Sequence, residues 1–170
     1  MSQPAHSTHR TAVYTGSFDP VTLGHLHIIQ RAAPLFDRFI IGIGINADKQ
    51  SLFEPKERVE LVKTVTGDLE NIQVEVFTGL AVDFVREMDA RVMVRGIRPL
   101  TDIAGEFTMM MANRQLDPEI ETVFLMASER YSHVSSSLLK QIAAVSDDDQ
   151  QLAKFVPEEI IAPLRERLAR

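Results

Sequence analysis

Three short stretches concentrate the side chains able to act on phosphate. The first is Gly16-Ser17-Phe18-Asp19-Pro20-Val21-Thr22-Leu23-Gly24-His25. It follows a β-branched, aromatic run and leads into an apolar-periodic one, so it reads as a loop from strand to helix. Free backbone N–H groups and the positive end of a helix dipole suit an anion at such a place. Gly16 and Gly24 let a ligand approach the backbone. No Gly-Lys-Ser/Thr triplet closes the loop, so it is not a Walker loop. His25 stands at the helix start instead. An imidazole there can donate to a phosphate oxygen or steady a pentavalent transition state. A connector with a capping histidine is the plainer alternative.

The second stretch is Arg95-Gly96-Ile97-Arg98-Pro99. Two guanidiniums three residues apart, on a loop expected after the fourth strand, can clamp phosphate, because the Arg fork matches phosphate oxygens bidentately. Surface ion pairing is the alternative. The third is Tyr131-Ser132-His133-Val134-Ser135-Ser136-Ser137. Three serines at a helix start gather hydroxyls and N–H groups around one anion, although N-capping needs only Ser135. The Ser132-His133 pair has no matching acid and no nucleophile elbow, which excludes a hydrolase triad. Gly42-Ile43-Gly44-Ile45-Asn46-Ala47 fits a dinucleotide fingerprint, but its glycines lie inside an apolar run followed by a polar loop, the wrong context for one. Met109 to Met111 reads as adaptable packing.

Alternating strands and helices must carry these loops. Strands are expected over Thr11–Thr15, Phe39–Ile45, Asn71–Phe77, Arg91–Val94 and Thr122–Met126. Helices are expected over His25–Phe36, Pro55–Thr66, Leu80–Met88, about Thr101–Leu116, Ser136–Val145 and Pro157–Arg170, with Ser146–Gln151 a solvated acidic linker. The order predicts a single Rossmann-like α/β domain over residues 11–170, a five-stranded parallel sheet with helices on both faces. Ligands in such folds bind beyond the carboxyl ends of the strands, where all three stretches fall.

The 170 residues suffice for one core, and with no cysteine there are no disulfides or thiolate nucleophiles. A net charge of −6, from 18 basic and 24 acidic residues, argues against nucleic acid as a partner. No apolar run approaches the ~20 residues a membrane span needs. Residues 1–10 are polar, lack a signal peptide's apolar centre and are expected to be a disordered arm on a cytoplasmic protein. Deleting Met1 to His9 is expected to leave melting temperature and turnover nearly unchanged; a large loss of either would show that the arm docks.

Thr22-Leu23-Gly24-His25 resembles the Thr/His-x-Gly-His mark of the nucleotidylyltransferase superfamily. With Gly16 to Pro20, Arg95 to Arg98 and Tyr131 to Ser137, and with Asn113-Arg114 and Val123 to Met126 also matching, nearly the whole chain resembles the phosphopantetheine adenylyltransferase family. The resemblance implies transfer of the adenylyl group of ATP to 4′-phosphopantetheine, giving dephospho-coenzyme A and pyrophosphate. It implies that His25 stabilises the transition state, with Lys49 and Arg98 on the reacting phosphates. Ser17, Phe18, Gly96, Ile97, Arg98, Glu106 and Tyr131, Ser132, His133, Val134, Ser135, Ser136 and Ser137 would bind ATP. Ser17, Lys49, Ala81, Arg95 and Asn113 would bind phosphopantetheine. It further implies a homohexamer and coenzyme A as an inhibitor. Mg²⁺ is expected with the triphosphate, through few protein ligands. The chain departs from the family at Ile103-Ala104-Gly105, where members usually carry aromatic and acidic residues, at Leu23, usually Asn, and at His133, usually Phe.

Overall fold

β-branched and aromatic residues form the strands: residues 38–44 are a near-continuous apolar run, as in a strand buried on both faces, whereas residues 72–77 alternate as an edge strand does. The computed structural model describes residues 10–46, 50–98 and 102–169. The strands are β1 (Thr11–Gly16), β2 (Arg38–Gly44), β3 (Ile72–Phe77), β4 (Val92–Ile97) and β5 (Glu121–Met126). All pair in parallel, in the order β3-β2-β1-β4-β5. The helices are α1 (Leu23–Ala32), α2 (Pro55–Thr66), α3 (Ala81–Glu87), α4 (Ile103–Leu116), α5 (Ser136–Val145), α6 (Asp149–Leu152) and α7 (Glu158–Leu168).

Neighbouring residues of β1 face opposite ways, as strand geometry requires. Ala12 and Tyr14 enter one core with Ile28 and Ile29 of α1, Val62 of α2, Leu139 of α5 and Ile160 and Leu164 of α7. Val13 enters a second core with Val82, Phe84 and Val85 of α3 and Met93 of β4. Helices therefore cover both faces, as expected. Gly42 belongs to this packing and not to a cofactor loop. A Cβ there would lie 2.4 Å from the ring of Phe84, which stacks on Phe77.

Besides shifts of one or two residues at other element ends, four departures from the sequence reading stand out. α1 starts two residues early, because Thr22 caps it, and passes after Ala32 into a single 3₁₀ turn that contains Pro34. Arg95, Gly96 and Ile97 lie inside β4 rather than in a loop. The stretch taken for a solvated linker holds α6, capped by Asp148, and buries Leu152 completely. Arg10, assigned to the arm, is tied to Asp37 through its backbone N–H at 2.7 Å and its guanidinium. The rest of the arm, residues 1–9, and Lys49 lie outside the described residues.

The β4 extension shapes the site. The β1–β4 ladder stops at Tyr14 opposite Val94, while β4 continues along β5 as far as Ile97 opposite Met126. Beyond Tyr14 and Val94 the two strands part at their carboxyl ends. This is also where the strand order reverses direction, the crevice in which open α/β sheets bind ligands.

Candidate active site

A cleft of about 310 Å³ fills that crevice, within the usual range for ligand sites. It is lined from the β1–α1 segment by Ser17, Gly24 and His25, from β4 and the residue after it by Arg95, Gly96 and Arg98, from α4 and its cap by Glu106 and Asp102, and from the β5 side by Tyr131 and Val134 to Ser137. A cavity of about 50 Å³ lies beside it, lined by Ala81, Met93, Met109, Met110, Asn113 and Thr122. Thr15, Arg95 and Glu106 line both. Three of the five residues assigned to the acceptor, Ala81, Arg95 and Asn113, thus converge on the smaller cavity. Ser17 lines only the larger.

His25 is fixed by its own helix start. Thr22 Oγ1 accepts from the His25 backbone N–H at 3.4 Å, and His25 Nδ1 accepts from the Thr22 backbone N–H at 3.1 Å. This is a capping box in which histidine replaces the usual Glu or Gln. A backbone N–H can only donate, so Nδ1 is the acceptor and Nε2 carries the proton. The neutral ring therefore offers the cleft a donor. Burial, then the positive charges of Arg98 and Arg95, push its pKa down to about 4. The capping role and the chemical role are compatible: one ring nitrogen serves each.

That shift has a measurable consequence. Unfolded, the ring takes up a proton below its ordinary value of 6.5, whereas folded it stays neutral down to about 4. Stability linked to His25 is therefore fully present above pH 6.5 and is lost as pH falls toward 4. Melting temperature of the unliganded protein should fall across this window, and His25→Gln should flatten part of the fall. His27, lowered mainly by desolvation, contributes in the same sense and remains in the variant.

Both arginines are held by carboxylates of the first turn of α4. Arg95 donates to Glu106 from Nε at 2.7 Å and Nη2 at 2.6 Å, and from Nη1 to the Thr15 carbonyl at 2.7 Å. Arg98 donates from Nε and Nη2 to Asp102 at 2.7 Å each. The ion-pair alternative is thus present inside the cleft rather than on the outer surface. The pairs orient the two forks, and each leaves guanidinium N–H groups not bonded to a carboxylate. Asp102 was not singled out from the sequence, although it stands four residues after Arg98.

The serine stretch divides its labour. Ser135 caps α5, accepting from Leu138 N–H at 3.1 Å. Ser136 donates to the Pro20 carbonyl at 2.8 Å, bonding α5 to the β1–α1 loop. Lys140 repeats the link one turn on, reaching Asp19 at 3.0 Å. Asp19 also accepts from the backbone N–H groups of Leu52 and Phe53, at 2.9 and 2.8 Å, so it joins three segments of the site's rim. Ser137 is exposed at the cleft wall.

Four assigned nucleotide residues do not line the cleft. Ile97 is buried. Ser132 donates to the Glu129 carbonyl at 2.9 Å. His133 is exposed and meets Phe155 edge-on at 5.9 Å. Phe18 is fully buried, with a left-handed φ of 46°, and its ring packs 4.9 Å from that of His25. A bulky residue in that region costs about 1–3 kcal/mol, so its neighbours must hold it there.

A strand–helix loop carrying Thr22-Leu23-Gly24-His25, a buried histidine donor and two arginines at the switch point are the layout of a nucleotidyltransferase. The Cytidylyltransferase-like family model matches residues 13–142. Two solved adenylyltransferase structures share the fold at low identity. One, from Vibrio parahaemolyticus and described as a nicotinate-nucleotide adenylyltransferase, has a TM-score of 0.66 at 16% identity, with 94% of each chain covered. The other, the Plasmodium falciparum nicotinic acid mononucleotide adenylyltransferase, has a TM-score of 0.56 at 13% identity, again with 94% of each covered. The chain belongs to the phosphopantetheine adenylyltransferase family: it is 72% identical over 162 residues to the phosphopantetheine adenylyltransferase of Rhodopirellula baltica, covering 95% of this chain and 90% of that one. It is also 47% identical to that of a Clostridium botulinum strain, covering 93% and 98%.

Proposed function

We propose that the chain transfers the adenylyl group of ATP to 4′-phosphopantetheine, releasing pyrophosphate and dephospho-coenzyme A, in coenzyme A synthesis. The observation that carries this reading is the pair of adjoining cavities sharing Thr15, Arg95 and Glu106. One site can hold a nucleotide and the other the phosphate end of a narrow acceptor, with the two phosphates meeting at the junction.

A phosphate oxygen of the acceptor attacks the α-phosphorus in line. The new P–O bond forms as the α–β anhydride bond breaks, and pyrophosphate leaves with the bonding electron pair. The nucleophile is already anionic, so no strong base is needed, and positioning with charge stabilisation suffices. The Nε2–H of His25 donates to an α-phosphate oxygen as charge builds there. Arg98 and Lys49 meet the triphosphate, and Arg95 orients the acceptor phosphate. Ser17 and Ser137 add hydroxyl donors, and Tyr131 flanks the nucleotide. Mg²⁺ is assigned to the nucleotide. Among the described residues no group of three or more His, Asp or Glu could hold a metal ion, and the cleft carboxylates are engaged by arginines. The ion's contribution is neutralisation of triphosphate charge. Coenzyme A contains the whole acceptor arm and an adenosine, the chemistry of both substrates, and is proposed as an inhibitor at the same site. A cytoplasmic location is part of the proposal and rests on the ATP-dependent reaction.

Pyrophosphate release with ATP and 4′-phosphopantetheine, with mass spectrometry of the nucleotide product, tests the reading. Turnover only with a different acceptor, or only with CTP, would overturn it.

We further propose a homohexamer in which copies of the chain cover α4. Among its described residues α4 buries none, and Phe107, Met109, Met111 and Leu116 are exposed, beside Met126 of β5. An apolar face of this kind marks an interface. Light scattering should give six times the 19.1 kDa chain mass. Met111→Glu should shift the protein to smaller species, and a wild-type monomer would refute the assembly.

A further inference from the structure

Arg58 of α2 is none of the residues given a role above, yet it is only 2% exposed. Its Nη1 donates to the Ser17 carbonyl at 3.0 Å and lies 3.5 Å from the Gly44 carbonyl. Its Nε is buried with no acceptor. Arg95 and Arg98 each hold a carboxylate in two bonds, but no carboxylate pairs with Arg58 among the described residues. A guanidinium keeps its charge on burial, and an uncompensated buried charge is destabilising. Ion pairing within the described residues therefore does not account for its place. The two carbonyls it meets lie just past β1 and at the end of β2, on the carboxyl edge of the sheet assigned above to the phosphates.

We propose that Arg58 is a positioning residue of the adenylyl-transfer site: it fixes the Ser17–Phe18 peptide and sets a positive charge beneath the loop that receives the triphosphate. This rests on the reading under Proposed function. The Ser17–Phe18 peptide is trans, so its carbonyl and N–H point in opposite directions. Clamping the Ser17 carbonyl to Arg58 turns the Phe18 N–H away from α2. Among the described residues that N–H has no backbone acceptor; the resemblance assigns Phe18 to the nucleotide, and with its side chain fully buried the backbone is what it can offer. The left-handed φ of 46° at Phe18 belongs to the same device. A bulky residue leaves that conformation unless anchored, and Arg58 on one side with Asp19 on the other supply the anchors. The substrate's phosphates then bring the counter-charge that no carboxylate among the described residues supplies.

Arg58→Met and Arg58→Lys, each with the full chain, test this. Three quantities are measured: melting temperature, ATP affinity by calorimetry, and KM for each substrate. Arg58→Met removes a buried charge that no carboxylate among the described residues pairs with, and keeps an apolar chain of similar reach, so its melting temperature should equal or exceed that of wild type. Its ATP Kd should rise about tenfold, the worth of a hydrogen bond to a charged group, with the KM for phosphopantetheine unchanged. A lower melting temperature with wild-type ATP affinity would make Arg58 merely structural and overturn the proposal. If Arg58→Met does not fold, Arg58→Lys decides. It keeps the charge but loses the fork, and a wild-type ATP Kd there would also overturn the proposal. Wild type assayed in parallel separates the two readings. Wild type that binds ATP but makes no dephospho-coenzyme A refutes the acceptor reading, while the ATP affinities still decide Arg58.

Discussion

Replacing His25 by alanine should lower kcat by ~10²–10³ with little change in ATP binding, the usual loss for a donor aimed at transition-state charge. The structure narrows what this donor is. Nδ1 is committed to the Thr22 N–H, so the ring has one tautomer and one free proton. Phe18 packs against the ring, and Thr22 caps the helix beneath it. The imidazole is therefore set before substrate arrives, which is the condition for electrostatic stabilisation without reorganisation. The substitution also removes half of the capping box, so melting temperature should drop modestly, about 1 kcal/mol in stability. Single-turnover kinetics at saturating ATP separates the two effects. His25→Gln supplies a further check, because its amide oxygen can still accept from the Thr22 N–H and keep the capping box while the ring's Nε2–H is lost. Near-wild-type kcat in His25→Ala would remove the assigned role.

The sheet was legible because its strands are apolar runs and its helices have periodic faces. Pro55 marks the start of α2 and Ser135 the cap of α5, and both ends match the sequence reading. Errors arose where tertiary contacts override local pattern. Gly96 and the two arginines read as a loop, but β4 continues because β5 supplies a ladder partner as far as Met126. The acidic run at Ser146 to Gln151 reads as solvent-facing, yet Leu152 is drawn into the core and brings a helical turn with it. Most cleft residues were found because Gly, Ser, Arg and His are unusual at strand ends. The residues that hold them were missed. Asp19, Arg58 and Asp102 gain their meaning from partners 34, 41 and 4 residues away, and of these only the last distance is a local signal.

The second large effect expected is a division between the two arginines. Arg95 lines both cavities, whereas Arg98 lines only the larger one. Strand alternation explains this. Arg95 shares the face of Met93, toward α3 and α4, and Arg98 follows the strand end, where its Nη1 reaches toward the Val134 carbonyl at 3.4 Å. Lysine at either position keeps the charge but cannot reproduce a two-bond grip on a carboxylate or phosphate. Arg95→Lys should raise the KM for phosphopantetheine about ten- to hundredfold and that for ATP far less, from the loss of one charge-assisted bond. Arg98→Lys should do the reverse. Each arginine also holds α4 through its carboxylate, so each variant tests whether that grip matters. Glu106→Gln, which leaves Arg95 in place but weakens its anchor, should give a milder version of the Arg95→Lys phenotype. Steady-state kinetics with one substrate saturating and the other varied reads all three. If Arg95→Lys and Arg98→Lys both raised the KM of the same substrate alone, the two cavities would not correspond to the two substrates, even with the overall reaction intact.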